Sequence, residues 1–177
     1  MNTQKDKQEH TENLSRKEAI EKMQELVQHN NTMCMFTTSL DSTPLHSRPM
    51  SIVNVDDEGN FWFLSANDSN KNKNIAHDKR VQLFSTNSSN SEYLTVYGSA
   101  SISTDKKKIH ELWKPIAKAW FTEGEDDPSI TVIKVVPQDA FYWDTKNGKM
   151  ISMLKILASV VAGVTMDDSV EGALRVR

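Results

Sequence analysis

Cysteine is almost absent from this 177-residue chain: Cys34 stands alone, so no internal disulfide can form, which fits a reducing compartment. In the apolar run MCMF it reads as a small buried hydrophobe, because no histidine is placed by sequence to activate it as a nucleophile. Glycine is scarce as well. Its six residues are scattered, so neither a Walker loop nor a dinucleotide fingerprint is written here. Positive charge is not in excess. The net charge of -3 and a pI near 6.0 argue against a nucleic-acid surface. Long hydrophobic runs are missing too, since the longest, ILASVVAGV at 156–164, is too short to span a bilayer. The first residues, MNTQKDKQEHTENLSR, have no apolar centre, so no secretion signal and a cytoplasmic location are expected. The histidines, at 10, 29, 46, 77 and 110, show no metal-ligand spacing such as i, i+4, and no metal site is expected.

What remains is an ordinary globular composition, 37% hydrophobic and 25% charged, with a mean hydropathy of -0.56, enough for one domain with a substantial core. Ser15 followed by Glu18 has the form of a capping box, and Ile20, Met23, Leu26 and Val27 then repeat at helical spacing. Strand-like runs follow: MCMFTTSL, LHSRPMSIVNVD, FWFLSA, RVQLFST and YLTVYGSASIS. In the last of these Leu94, Val96, Gly98, Ala100 and Ile102 share one face. DDEGN, with Gly59 and Asn60 tolerant of positive φ, makes the second and third runs a hairpin. A short helix is expected around residues 73–77. Asp105 opens another, with Ile109, Leu112, Trp113 and Ile116 on one side and Pro115 placed to kink or split it. The acidic turn EGEDDPS leads to a last strand, ITVIKVVPQDAFYWDT, and residues 150–162 again have helical spacing. Six short strands with helices at the ends predict a mainly β protein, a closed antiparallel barrel with helices packed around it.

The most informative stretch is FWFLSANDSNKNKNIAHDKRVQLF, residues 61–84. An apolar run stops at Ser65, and Ser69, Lys71 and Lys73 then stand at alternate positions in a polar segment. A turn centred near Gly59 pairs Met50 roughly with Leu64, which would bring Arg48 close to Ala66 and the start of that segment. Arg48, Ser69 and Lys71 could then converge on one anion: a planar fork, a neutral donor and a point charge, joined by N–H groups at the start of the short helix. A solvated loop and an ordinary strand ion pair are the plainer alternatives.

The chain from about residue 17 to residue 163 resembles the general stress protein branch of the pyridoxamine 5′-phosphate oxidase-like flavoproteins. The resemblance is carried by SRPM, FWFLSANDSNKNKNI, YLTVYGSASIS and LWKPIAKAWFTEGEDDPSITVIKVVPQDAFYWD. It implies a six-stranded split β-barrel, FMN as cofactor, and a homodimer with FMN at its interface. Carried over residue by residue, Arg48, Ser69 and Lys71 correspond to groups that hold the flavin phosphate. Pro49 and Met50 correspond to strand residues lying against the isoalloxazine ring, and Leu64 and Ser65 to the strand end lining the ring and ribityl side. Trp143 matches an aromatic that in the family approaches the flavin from the partner subunit, and Tyr93 corresponds to a strand position also presented across the dimer there. The implied layout is a polar N-terminus over 1–13, the FMN-binding split barrel over 14–165 and a tail over 166–177.

True pyridoxamine phosphate oxidases carry an Arg-x-His-Asp-Arg-type segment after the tryptophan. Here YWDTKNGKMISMLKIL follows instead, so vitamin B6 oxidation is not implied, and Lys146 and Lys149 read as solvated. No acid–base pair is found and no catalytic residue is named, since a flavin ring itself accepts a hydride or electrons. Two readings stand. One is an FMN-dependent oxidoreductase working with a small-molecule electron donor or acceptor. The other is a flavin-binding stress or interaction protein without turnover. Another phosphate ligand in the same cradle, pyridoxal phosphate or a deazaflavin, remains a third.

Overall fold

The computed structural model describes residues 16–145 and 169–173. Its elements run α1 (Arg16–His29), β1 (Met33–Thr38), β2 (His46–Ser51), β3 (Asn54–Val55), β4 (Phe61–Ala66), α2 (Asn70–His77), β5 (Arg80–Asn87), β6 (Glu92–Ser103), α3 (Lys106–Leu112), a 3₁₀ turn (Pro115–Ala119), β7 (Ile130–Thr145) and β8 (Ser169–Ala173). The sheet order is β2-β1-β5-β6-β7-β4-β3, with β8 paired to β7.

The two ends of that order are one stretch of chain. The sequence run LHSRPMSIVNVD breaks at Ile52–Val53, where Ile52 N–H bonds to Thr32 O at 2.6 Å and Val53 N–H to Trp62 O at 2.8 Å. The strand therefore changes partners from β1 to β4 and closes the barrel through its own backbone. Counted as one bent strand, β2–β3 completes the expected six, and β8 adds a seventh within the stretch read as a tail. The same bend corrects the hairpin register. Only Asn54 and Val55 pair with β4, opposite Trp62 and Phe61, while Met50 pairs with Cys34 and Arg48 with Phe36, not with Leu64 and Ala66. Counting back from Gly59 assumed an unbroken ladder, which a strand shared between two neighbours cannot keep.

Alternation decides the rest of the core. Phe36, Phe61, Phe63, Val81, Leu83, Leu94, Val96, Val135 and Tyr142 are buried inside the barrel, Phe36 and Phe63 edge to face at 5.1 Å. Gly98 is needed where β7 carries an extra residue opposite Tyr97/Gly98: a Cβ there would stand 2.5 Å from Val136 O. Helix α1 buries Ile20, Met23, Leu26 and Val27 as its spacing predicts, each contributing about 1.5–3 kcal/mol. Its bonds to Glu92 at the start of β6 and Asp144 near the end of β7 place it at one end of the barrel. Helix α2 reaches Thr38 at the end of β1 and Thr131 at the start of β7, so it closes the other end. Between Leu112 and Pro115 the third helix stops, as Pro115 requires. Ile109 and Leu112 are buried against Ile130 and Val132, but Ile116, expected on their side, is 71% exposed because the 3₁₀ turn points it away. Ser15, the expected helix over 150–162, Lys146 and Lys149 lie outside the described residues.

Candidate functional site

Helix α2 is short and polar, NKNKNIAH, and its position is fixed by what it buries. Ile75 enters the core. Asn72 is buried in a closed ring of hydrogen bonds: Ser65 Oγ donates to Asn72 Oδ1 at 2.8 Å, Asn72 Nδ2 to Thr131 Oγ1 at 2.9 Å, and Thr131 Oγ1 to Ser65 O at 2.9 Å. Ser69 is the N-cap, its hydroxyl accepting from Asn72 N–H at 3.3 Å, and the helix starts at Asn70, a turn earlier than its apolar content suggests. The Ser69 and Ser65 hydroxyls meet at 3.2 Å.

The structure brings Arg48 close enough to α2 for its charge to act on Lys71, which stands two residues after Ser69. Arg48 comes from β2, opposite Phe36 of β1, and its Nη1 donates to Thr38 Oγ1 at 2.9 Å. Asn74 Nδ2 donates to the same oxygen at 2.9 Å, which ties the arginine to α2. Burial lowers the Lys71 pKa, the nearby Arg48 charge lowers it further, and Asp68 opposes this only in part. Burial also lowers the Arg48 pKa. Among the described residues neither cation has a carboxylate within ion-pair distance. Two half-buried cations whose charges act on one another, one of them in the first turn of a helix capped by a hydroxyl, have the chemistry to hold an anion with several oxygens. Lys73 is exposed.

The remaining expected site residues divide between places. Ser65 is buried and committed to the Asn72 ring, while half-buried Leu64 faces the cluster beneath α3. Met50 is in the core opposite Cys34; Pro49, its neighbour, is on the outer face opposite Met35. Tyr93 and Trp143 are cross-strand partners on that outer face, and with Phe84, Thr86 and Thr95 they line a pocket of about 400 Å³. Phe141 packs edge to face on Trp143 at 4.6 Å. Met33, Met35, Phe84 and Tyr93 are each at least 40% exposed, a continuous apolar patch. Tyr93 and Trp143 stand at the α1 end of the barrel and Arg48 and Lys71 at the α2 end, on the opposite face of the sheet.

Thr38, Asn72 and Asn74 were not singled out from sequence. The signal was weak: a polar pair ending an apolar strand, FTTS, and an Asn–Lys alternation that looks solvated throughout.

Residues 18–167 match the family model described as pyridoxamine 5′-phosphate oxidase like. Protein bli-3 of Neurospora crassa is 30% identical over 129 residues, covering 67% of this chain and 62% of that protein, so the chain spans less than two thirds of this relative's length. A candidate general stress protein 26 from Jannaschia sp. CCS1 has a similar structure, with a TM-score of 0.70, 22% identity, and coverage of 86% of this chain and 97% of that one. The general stress FMN/FAD binding protein of Xanthomonas citri gives a TM-score of 0.62 and 23% identity, over 72% of this chain and 89% of that one. At these identities the two structures bear on the fold.

Proposed function

The chain belongs to the pyridoxamine 5′-phosphate oxidase-like family, and from that premise we propose that it is a cytoplasmic FMN-binding flavoprotein of the general stress type, a homodimer working as an oxidoreductase. The observation that carries this reading is the pair of half-buried cations, Arg48 and Lys71, without a carboxylate partner among the described residues. A doubly charged phosphate needs such a pair where water is partly excluded. Ser69 and the α2 N-terminus would add neutral donors. The flavin-binding name of the Xanthomonas citri relative supports the same class of ligand.

Bound here, the flavin would supply hydride or single-electron transfer. The residues around it do simpler work: Arg48, Lys71 and Ser69 hold the phosphate, and the outer-face aromatics Tyr93 and Trp143 of a second copy cover the ring and exclude water. The opposite placement of cradle and aromatics within one chain supports a dimer, because a partner is what can put them together. Pro49 and Met50 of β2 would lie against the ring, and Leu64 and Ser65 of β4 would line the ring and ribityl side.

The test is the visible spectrum of the protein purified without added cofactor, with the released ligand identified by mass, followed by Arg48→Ala with Lys71→Ala. A yellow FMN-bearing wild type and a colourless, folded double variant are expected. A double variant that keeps its FMN would return the cations to solvent. Reduction of the bound flavin by a nicotinamide nucleotide or another donor supports the oxidoreductase. If no donor reduces it above free-flavin background, a non-catalytic flavin carrier is left.

A further inference from the structure

We propose that Thr38 is the positioning residue of the phosphate cradle, its buried hydroxyl holding the Arg48 guanidinium against α2. The inference rests on the phosphate reading of this site. The two halves of the cradle come from elements with no ladder between them: Arg48 from β2, which pairs with β1, and Ser69 and Lys71 from α2, which follows β4. Like charges on the two halves push them apart, and an arginine side chain has many rotamers to lose when it is fixed.

Thr38 joins the halves. It is fully buried at the end of β1, and its Oγ1 accepts from Arg48 Nη1 and from Asn74 Nδ2, both at 2.9 Å. Its own proton goes to His46 O at 3.5 Å. The two accepted bonds occupy both lone pairs of the hydroxyl, so Thr38 fixes Arg48 and Asn74 together. Asn74 also reaches His46 Nδ1 at 3.4 Å, which keeps its amide turned toward β1 and β2. Arg48 spends one of its five donors on Thr38, and among the described residues it makes no other hydrogen bond, so the rest of the fork is left for an anion.

The experiment compares FMN with riboflavin, which lacks the phosphate, in equilibrium titrations of the wild type, Thr38→Val, Thr38→Ser and Asn74→Ala, with melting curves as a check on folding. Thr38→Val is expected to bind FMN roughly tenfold or more weakly, with riboflavin unchanged, because a hydrogen bond to a charged group is lost. Thr38→Ser keeps the hydroxyl and restores FMN binding. Asn74 is half-exposed, and its alanine variant tests the same bridge should Thr38→Val not fold; about threefold weaker FMN binding is expected. Wild-type affinity for FMN in Thr38→Val and Asn74→Ala overturns the inference, and so does an equal loss of FMN and riboflavin, which marks a merely structural role. In either case the phosphate reading survives if the wild type prefers FMN and Arg48→Ala abolishes that preference. A wild type that binds neither, or both equally, removes the phosphate site and the inference together.

Discussion

Lys71 illustrates how a half-buried cation weakens the protein that carries it. Burial and then the Arg48 charge hold its pKa below the ordinary lysine value of about 10.4. Between the folded and unfolded values the unfolded chain binds more protons, so the ligand-free protein gains stability as pH rises through that window. Lys71→Met is therefore expected to melt higher than the wild type near pH 7, with the difference shrinking as pH approaches 10.5, while its FMN affinity falls at least tenfold. Melting curves across that pH range check this, and a lower melting temperature near pH 7 would mean that Lys71 has a counterion. Cys34 shows the opposite, purely structural case. Burial pushes its thiol up to about 12, so it stays protonated and behaves as the hydrophobe its sequence neighbours suggest.

At the scale of elements, the β3–β4 turn and α2 are both held by side-chain bonds to backbone or buried amides. Asp56 accepts from the N–H groups of Glu58 and Asn60 at 3.0 and 2.8 Å and from Trp62 Nε1 at 2.8 Å, around Gly59 at φ 84. Burial by itself would raise its pKa, but the bonds from Asn60 and Trp62 outweigh it and hold the carboxyl below the usual value. Its stabilisation is thus complete above about pH 4 and lost as pH falls through the depressed folded value. Asp56→Ala should cost about 1–3 kcal/mol at neutral pH, and its deficit against the wild type should narrow at pH 3 in urea unfolding. The turn was legible because Gly59 and Asn60 announce it. Helix α2 was legible only in part, since what docks it, Asn72 and Asn74, carries no hydrophobic signal.

Across the whole molecule, the barrel closes because one strand bends at Ile52–Val53 and belongs to both sheet edges. Closure leaves the exposed patch of Met33, Met35, Phe84 and Tyr93 on the outside, at the end away from the cations. Phe84→Glu puts a charge in that patch without touching Arg48, Lys71 or Ser69. Under the proposed homodimer with flavin at its interface, it is expected to shift the protein from dimer to monomer in sedimentation velocity and to lower flavin affinity in the same variant. A monomer that holds FMN as tightly as the wild type would separate the cradle from the interface.

Local chemistry in the sequence determined the elements: the α1 face, the alternation of β6, the split at Pro115 and the turn at Gly59 each follow from spacing or from one residue's backbone limits. The residue types of the proposed cradle were also there to be read, because Arg, Ser and Lys suit a phosphate wherever they meet. How they meet was decided by the tertiary structure. The expected hairpin register failed, and Arg48 reached α2 by another route, across β1 and through Thr38. Strand exchange at a bend and a hydroxyl shared by two distant side chains are long-range contacts with no period in the sequence. Only the folded barrel brings them into being.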